Sequence, residues 1–251
     1  MLKLMKYEFR KTMFSKMILL VVTAIAELAY LIGVFMKNNE VLGYGTIGLT
    51  FCGIFGIIYV GIESLISFHR DLNTKQSYML FLTPNNSYKI LGAKVLENGL
   101  SILIVGACFA GLAALDMTIG MLYIGGVKQF LEFLESFAHI KITWNGEIIR
   151  NFLIIFMTML SSWIMAVTSG YLAILLSATV LAGKRLSGFV SFLVYLFITW
   201  GLGTVTDCLL DFLPANSSSN VIFLMTIGLM LMFSAIMYVV TGWIMERKLS
   251  V

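Results

Sequence analysis

The 251 residues are 59% hydrophobic and 12% charged, with a mean hydropathy of +0.95. A soluble domain is roughly 25% charged, so this chain cannot cover a globular surface with polar groups and must use lipid as part of its solvent. The net charge of +4 offers no face for nucleic acid, because the Lys and Arg residues sit in short segments between apolar runs.

Those runs predict an all-α membrane protein with about six transmembrane helices. A spanning helix needs about 20 mostly apolar residues. Residues 1–16 come first. They are basic, and Leu2, Met5, Phe9 and Met13 recur at helical spacing, which predicts an amphipathic helix lying on the inner membrane face. The apolar run 17–36 is long enough to span. It ends in Lys37-Asn38-Asn39-Glu40 without a small-residue cleavage site, so we read it as an uncleaved first span. Glu27 lies near its middle. Such a carboxylate is expensive in lipid, and it either lines a cavity or bonds a neighbouring helix.

The second span covers residues 41–68. It is uncharged as far as Glu63 and carries Gly43, Gly45, Gly48, Gly53, Gly56 and Gly61. Small residues let helix backbones approach closely in lipid, which suits either a moving interface or static packing. Glu63 and Arg70 are seven residues apart, two helical turns, so they share one face. Structural pairing therefore competes with substrate contact for Glu63.

Residues 69–86 are an unusually long polar stretch. Their centre, Ser77-Tyr78-Met79-Leu80-Phe81-Leu82, is apolar but too short to span, and Pro84 interrupts any helix beyond it. A short helix outside the membrane fits. Its apolar side chains need cover, either from a partner protein or from lipid headgroups and the spans.

The third span is 98–116. Residues 117–150 form a loop whose Val127, Phe130, Leu131, Leu134, Phe137 and Ala138 follow helical spacing, predicting an interfacial helix. Spans four to six are 151–182, 186–206 and 221–245. Continuous apolar runs favour helices over barrel strands, which would alternate. Thirteen of the basic residues fall on one side of this layout and four on the other. The positive-inside rule then puts both termini in the cytoplasm.

Chemistry is sparse. There is no G-x-x-x-x-G-K-[ST], no H-E-x-x-H and no G-x-S-x-G. Cys52, Cys108 and Cys208 form no CxxC, and with only His69 and His139 to add they predict packing thiols rather than a metal site. An intramembrane enzyme lacks its catalytic pair, and an ATP-independent channel or secondary carrier would call for more ionisable groups in the spans than Glu27 and Glu63.

Glu63, Phe68, Arg70-Asp71, Tyr78, Pro84, Ile90-Leu91 and Lys94 together resemble the permease subunits of type-2 ATP-binding-cassette transporters. That pattern runs from a Glu late in the second span, through Phe-x-Arg-acid, a Tyr in a short helix and a Pro, to an Ile-Leu…Lys entry into the third span. The resemblance implies that 69–86 carries a coupling helix, with Arg70, Asp71, Leu72, Tyr78, Met79, Phe81 and Leu82 facing a separate ATPase subunit. It further implies that ATP and Mg are bound by that partner, with no cofactor in this chain. A second copy or a related permease would complete the pore. The expected function is export of an amphipathic peptide or lipid-like substrate across a bacterial plasma membrane. The short segment 207–220 and the larger loop 117–150 depart from the family's outer-gate layout.

Overall fold

A computed structural model describes residues 2–73, 86–124, 146–180, 187–211 and 219–249. Six helices make up the described chain: α1 (Leu2–Phe35), α2 (Asn39–Asn73), α3 (Ser87–Ile124), α4 (Gly146–Val180), α5 (Ser187–Leu210) and α6 (Ser219–Leu249). All six are long and apolar enough to cross a membrane. No strand occurs among the described residues.

The surface is the reverse of a soluble protein's. Phe14, Ile25, Phe197 and Trp200 are mostly exposed, whereas Thr23, Ser101, Ser169 and Thr241 are buried. Buried polar groups must be hydrogen-bonded, and the hydroxyls use their own helices. Thr23, Ser161, Thr168 and Thr241 each donate to the carbonyl four residues back, at 2.7–2.8 Å. This distribution suits helices whose outer faces meet lipid.

Helix ends follow from local chemistry. At the end of α1 the amides of Lys37 and Asn38 donate to the carbonyls of Val34 (3.2 Å) and Gly33 (3.0 Å). This is a Schellman closure, and Lys37 takes the left-handed conformation it requires, with φ 52°. The Asn38 side chain then caps α2, accepting from the amides of Glu40 (3.0 Å) and Val41 (3.4 Å). Asn86 caps α3 through the amide of Tyr88 at 3.0 Å.

The helices run beyond the apolar stretches that predict them. α3 begins at Ser87 rather than 98, and α1 is unbroken from Leu2. No Pro or Gly interrupts residues 2–32, so nothing separates the basic segment from the span. The predicted interfacial segment 1–16 is thus, from Leu2 on, the first part of one long helix. The centre of the expected coupling helix (74–85) and most of the outer loop (125–145) lie outside the described residues, as do residues 181–186 and 212–218.

The chain divides into two compact units. The first comprises Met1–Glu8, Ile62–Glu97 and Gly146–Val251; the second comprises Phe9–Gly61 and Asn98–Asn145. In the first unit α4 packs on both α5 and α6. Its core is Phe68, Leu91, Val167, Tyr171, Ile174, Leu175 and Met245. Phe68 meets Tyr171 edge-on with ring centroids 4.8 Å apart. Tyr171 also shares a buried hydrogen bond with Ser64. Ser177 and Ser191 join α4 to α5 through their hydroxyls, and Tyr238 of α6 donates to the carbonyl of Tyr88 at 2.6 Å.

The second unit is built on an antiparallel pairing of α1 with α2. A Cβ added at Gly33 would lie 2.4 Å from the Leu42 backbone nitrogen, and one at Gly45 would lie 2.5 Å from the Tyr30 Cα. Only glycine permits that approach. Tyr30 also donates to the Asp116 carbonyl of α3 at 2.9 Å. Asn98 of α3 donates to the Val60 carbonyl at 3.2 Å, and Lys16 donates to Ser101. For Gly45 and Gly56, whose added Cβ atoms would meet neighbouring helices, close packing accounts for the glycine; Gly43 has nothing within 4 Å.

Candidate functional site: a buried ion triad at three helix ends

Three charged side chains meet inside the first unit. Glu8 lies within the first two turns of α1, Asp71 in the last turn of α2, and Lys94 two turns into α3. The Lys94 Nζ donates to Asp71 Oδ2 at 2.7 Å and to Glu8 Oε1 at 2.8 Å. The lysine side chain is 3% exposed and each carboxylate 7%. These are short, charge-assisted bonds in a site nearly closed to solvent.

Asp71 alone would be unfavourable at a helix C-terminus, where the dipole is negative. The ammonium of Lys94 offsets that. Ser87, Ile90, Leu91, Ala93, Lys94 and Glu97 are buried along the first part of α3, so the lysine reaches the triad from a face already packed. Phe68 and Leu91 of the core each lie three residues, about one helical turn, before Asp71 and Lys94, so the triad sits one turn from the aromatic core.

The residues carrying the family resemblance separate clearly. Phe68, Asp71, Ile90, Leu91 and Lys94 are all buried in this unit. Leu72 is partly buried against its core. Arg70 is exposed, His69 and Glu63 are half-buried, and all three make further interactions. Tyr78, Met79, Phe81 and Leu82 lie outside the described residues. Sequence reasoning does not single out Glu8, although it is the one acid among residues 1–16. Nor does it pair Lys94 with an acid, although Lys94, Glu97 and Asn98 form a polar stripe at helical spacing inside an apolar helix.

The second unit holds another acidic contact. Glu27 of α1 and Asp116 of α3 interact through their carboxyl groups. Glu27 Oε2 and Asp116 Oδ1 are buried. Asp116 marks only the end of span three in the sequence, yet it is the sole acid of residues 98–124.

Among the described residues no three His, Cys, Asp or Glu side chains are grouped to hold a metal ion. Cys52, Cys108 and Cys208 are free thiols. The triad ties the start of α1, the end of α2 and the first turns of α3 together. Comparisons with protein-family models, curated proteins and solved structures return no match. The class is defined by its architecture: a helical protein whose six described helices have the length and apolarity of membrane spans.

Proposed function

We propose that this chain is the membrane-spanning permease subunit of an ATP-driven exporter in the bacterial plasma membrane, powered by a separate ATPase. The observation that carries this reading is the ion triad. Asp71 and Lys94 flank residues 74–85, the segment expected to couple to the ATPase, and their 2.7 Å bond fixes the ends of α2 and α3 to each other. Glu8 adds the start of α1 to the same joint. A push on a short segment held this way is delivered to the helices instead of being absorbed by a loose hinge. The chain has no phosphate-binding loop of its own, so its work comes from outside. Docking that differs between two arrangements of the subunits would supply the coupling.

In this reading both termini are cytoplasmic. Arg70, Asp71, Leu72, Tyr78, Met79, Phe81 and Leu82 serve the ATPase contact, and Asp71 does so by positioning. ATP and Mg belong to the partner, a second permease copy or a relative completes the pathway, and the cargo is an amphipathic peptide or lipid-like molecule. One observation favours a second reading, an ATP-independent carrier: the Glu27–Asp116 contact adds an ionisable group to the spans.

The test is co-expression with any P-loop ATPase whose reading frame adjoins that of this chain, followed by purification and transport assay in vesicles. Tyr78→Asp and Phe81→Asp should lose the ATPase, or leave its hydrolysis uncoupled, while the permease still inserts. Normal binding and transport by both variants would overturn the assignment. Transport driven by an ion gradient without nucleotide would establish the carrier instead.

A further inference from the structure

Glu27 and Asp116 are brought together by α1 and α3 in the second unit, with their carboxyl groups in hydrogen-bonding contact. A separate bond fixes this register. Tyr30, one turn after Glu27 and 6% exposed, donates to the Asp116 carbonyl at 2.9 Å. A Cβ added at Gly120, one turn after Asp116, would lie 3.3 Å from the same hydroxyl. Glu27 Oε2 and Asp116 Oδ1 are buried and meet no donor among the described residues.

Two carboxylates cannot hydrogen-bond to each other, because an ionised carboxyl group only accepts. Their contact needs something positive between them. A basic side chain would serve, but these helices supply none. Along α1 the nearest are Lys16 and Lys37, each about 15 Å of helix away. α2 has no Lys, Arg or His from Asn39 to Gly61, and α3 has none from Asn98 to Ile124. Where α2 meets α1 at this level it presents glycine, Gly45 against Tyr30 and Gly48 facing Ala26. The Tyr30 phenol is the other titratable group facing the pair. A hard metal ion would need about six oxygen ligands. The Asp116 carbonyl is already engaged by Tyr30, and no third His, Cys, Asp or Glu joins the pair among the described residues. A proton needs only the two oxygens in contact. Acids that cannot both ionise side by side share one.

We propose that Glu27 and Asp116 bind one proton between them and so form a proton-dependent latch joining α1 to α3. With the proton in place, one carboxyl group donates and the other accepts. Without it, two like charges touch away from water, and the latch opens. The latch is internal to this chain and does not rest on an ATPase.

The full chain in lipid vesicles is measured by infrared difference spectroscopy. At neutral pH the wild type should show a protonated-carboxyl stretch that shifts in heavy water. Glu27→Gln and Asp116→Asn should each lose it, because an amide donor replaces the shared proton. Glu40→Gln, at an exposed position, should keep it. Unfolding by SDS titration reads the latch. Above the pH at which unfolded carboxyl groups ionise, the wild-type folding equilibrium should weaken about tenfold per pH unit until the folded pair releases its proton, the slope that one proton gives. Glu27→Gln should fold and lack that slope. A wild type without a carboxyl stretch sensitive to both substitutions, or equal pH slopes in wild type and Glu27→Gln, would overturn the proposal. So would a stretch that appears only when sodium is withheld, since a cation would then hold the pair. None of these readouts involves nucleotide or transport, so their failure leaves the exporter reading to its own test.

Discussion

Replacing Lys94 with Met is the sharpest test of how this fold is held. The Lys94 ammonium is shared between Asp71 at 2.7 Å and Glu8 at 2.8 Å, with all three side chains under a tenth exposed. An exposed pair is worth about 0–1 kcal/mol. Breaking a buried pair from one side costs about 3–5 kcal/mol, because the charge left behind remains desolvated. Lys94→Met leaves two carboxylates facing the vacated position, so the upper part of that range is expected. The triple variant Glu8→Met/Asp71→Leu/Lys94→Met removes all three charges together. It should recover most of the loss, since apolar replacement of a whole buried triad is often neutral. Unfolding by SDS titration in mixed micelles, followed by far-UV circular dichroism, measures both. If Lys94→Met unfolds within about 1 kcal/mol of the wild type, or if the triple variant is less stable than the single one, the triad is not the joint that holds these helix ends.

Two further substitutions probe the α1–α2 pairing by the same titration. Gly45→Ala brings a methyl group to 2.5 Å from the Tyr30 Cα and should destabilise by about 1–3 kcal/mol through overpacking; Gly43→Ala, with nothing within 4 Å, is the control and should stabilise by up to about 1 kcal/mol through helix propensity. Lys37→Gly should stabilise by about 1 kcal/mol, because Lys37 holds the left-handed conformation, at φ 52°, that glycine adopts without strain. A destabilised Lys37→Gly would mean that its side chain contributes more than its backbone geometry costs.

The six helices were legible because lipid imposes a local rule. Backbone groups without water must bond within their own segment, so an uninterrupted apolar run of sufficient length becomes a helix whatever its neighbours are. The α1–α2 connection was equally local, since Lys37-Asn38-Asn39-Glu40 contains both the closing residue and the cap. Helix ends were less legible. α3 gains three turns at its start because Lys94, Glu97 and Asn98, polar enough to end an apolar run, are buried rather than solvated.

Side-chain partnership was the part that sequence alone did not determine. In water, an amphipathic stripe tells which face of a helix turns inward. A helix surrounded by lipid and by other apolar helices lacks that signal, because tails and core are equally apolar. Its rotation about its own axis is set by packing. Glu8, Asp71 and Lys94, 63 and 23 residues apart along the chain, could therefore be recognised as charges but not as partners. The same holds for Glu27 beside Asp116 and for Gly45 against Tyr30. The sequence alone determined how many apolar rods the described chain makes and where their connections fall. Which faces of those rods touch was decided by tertiary packing, since only in the assembled helices does burying a charge without its counter-charge carry a penalty.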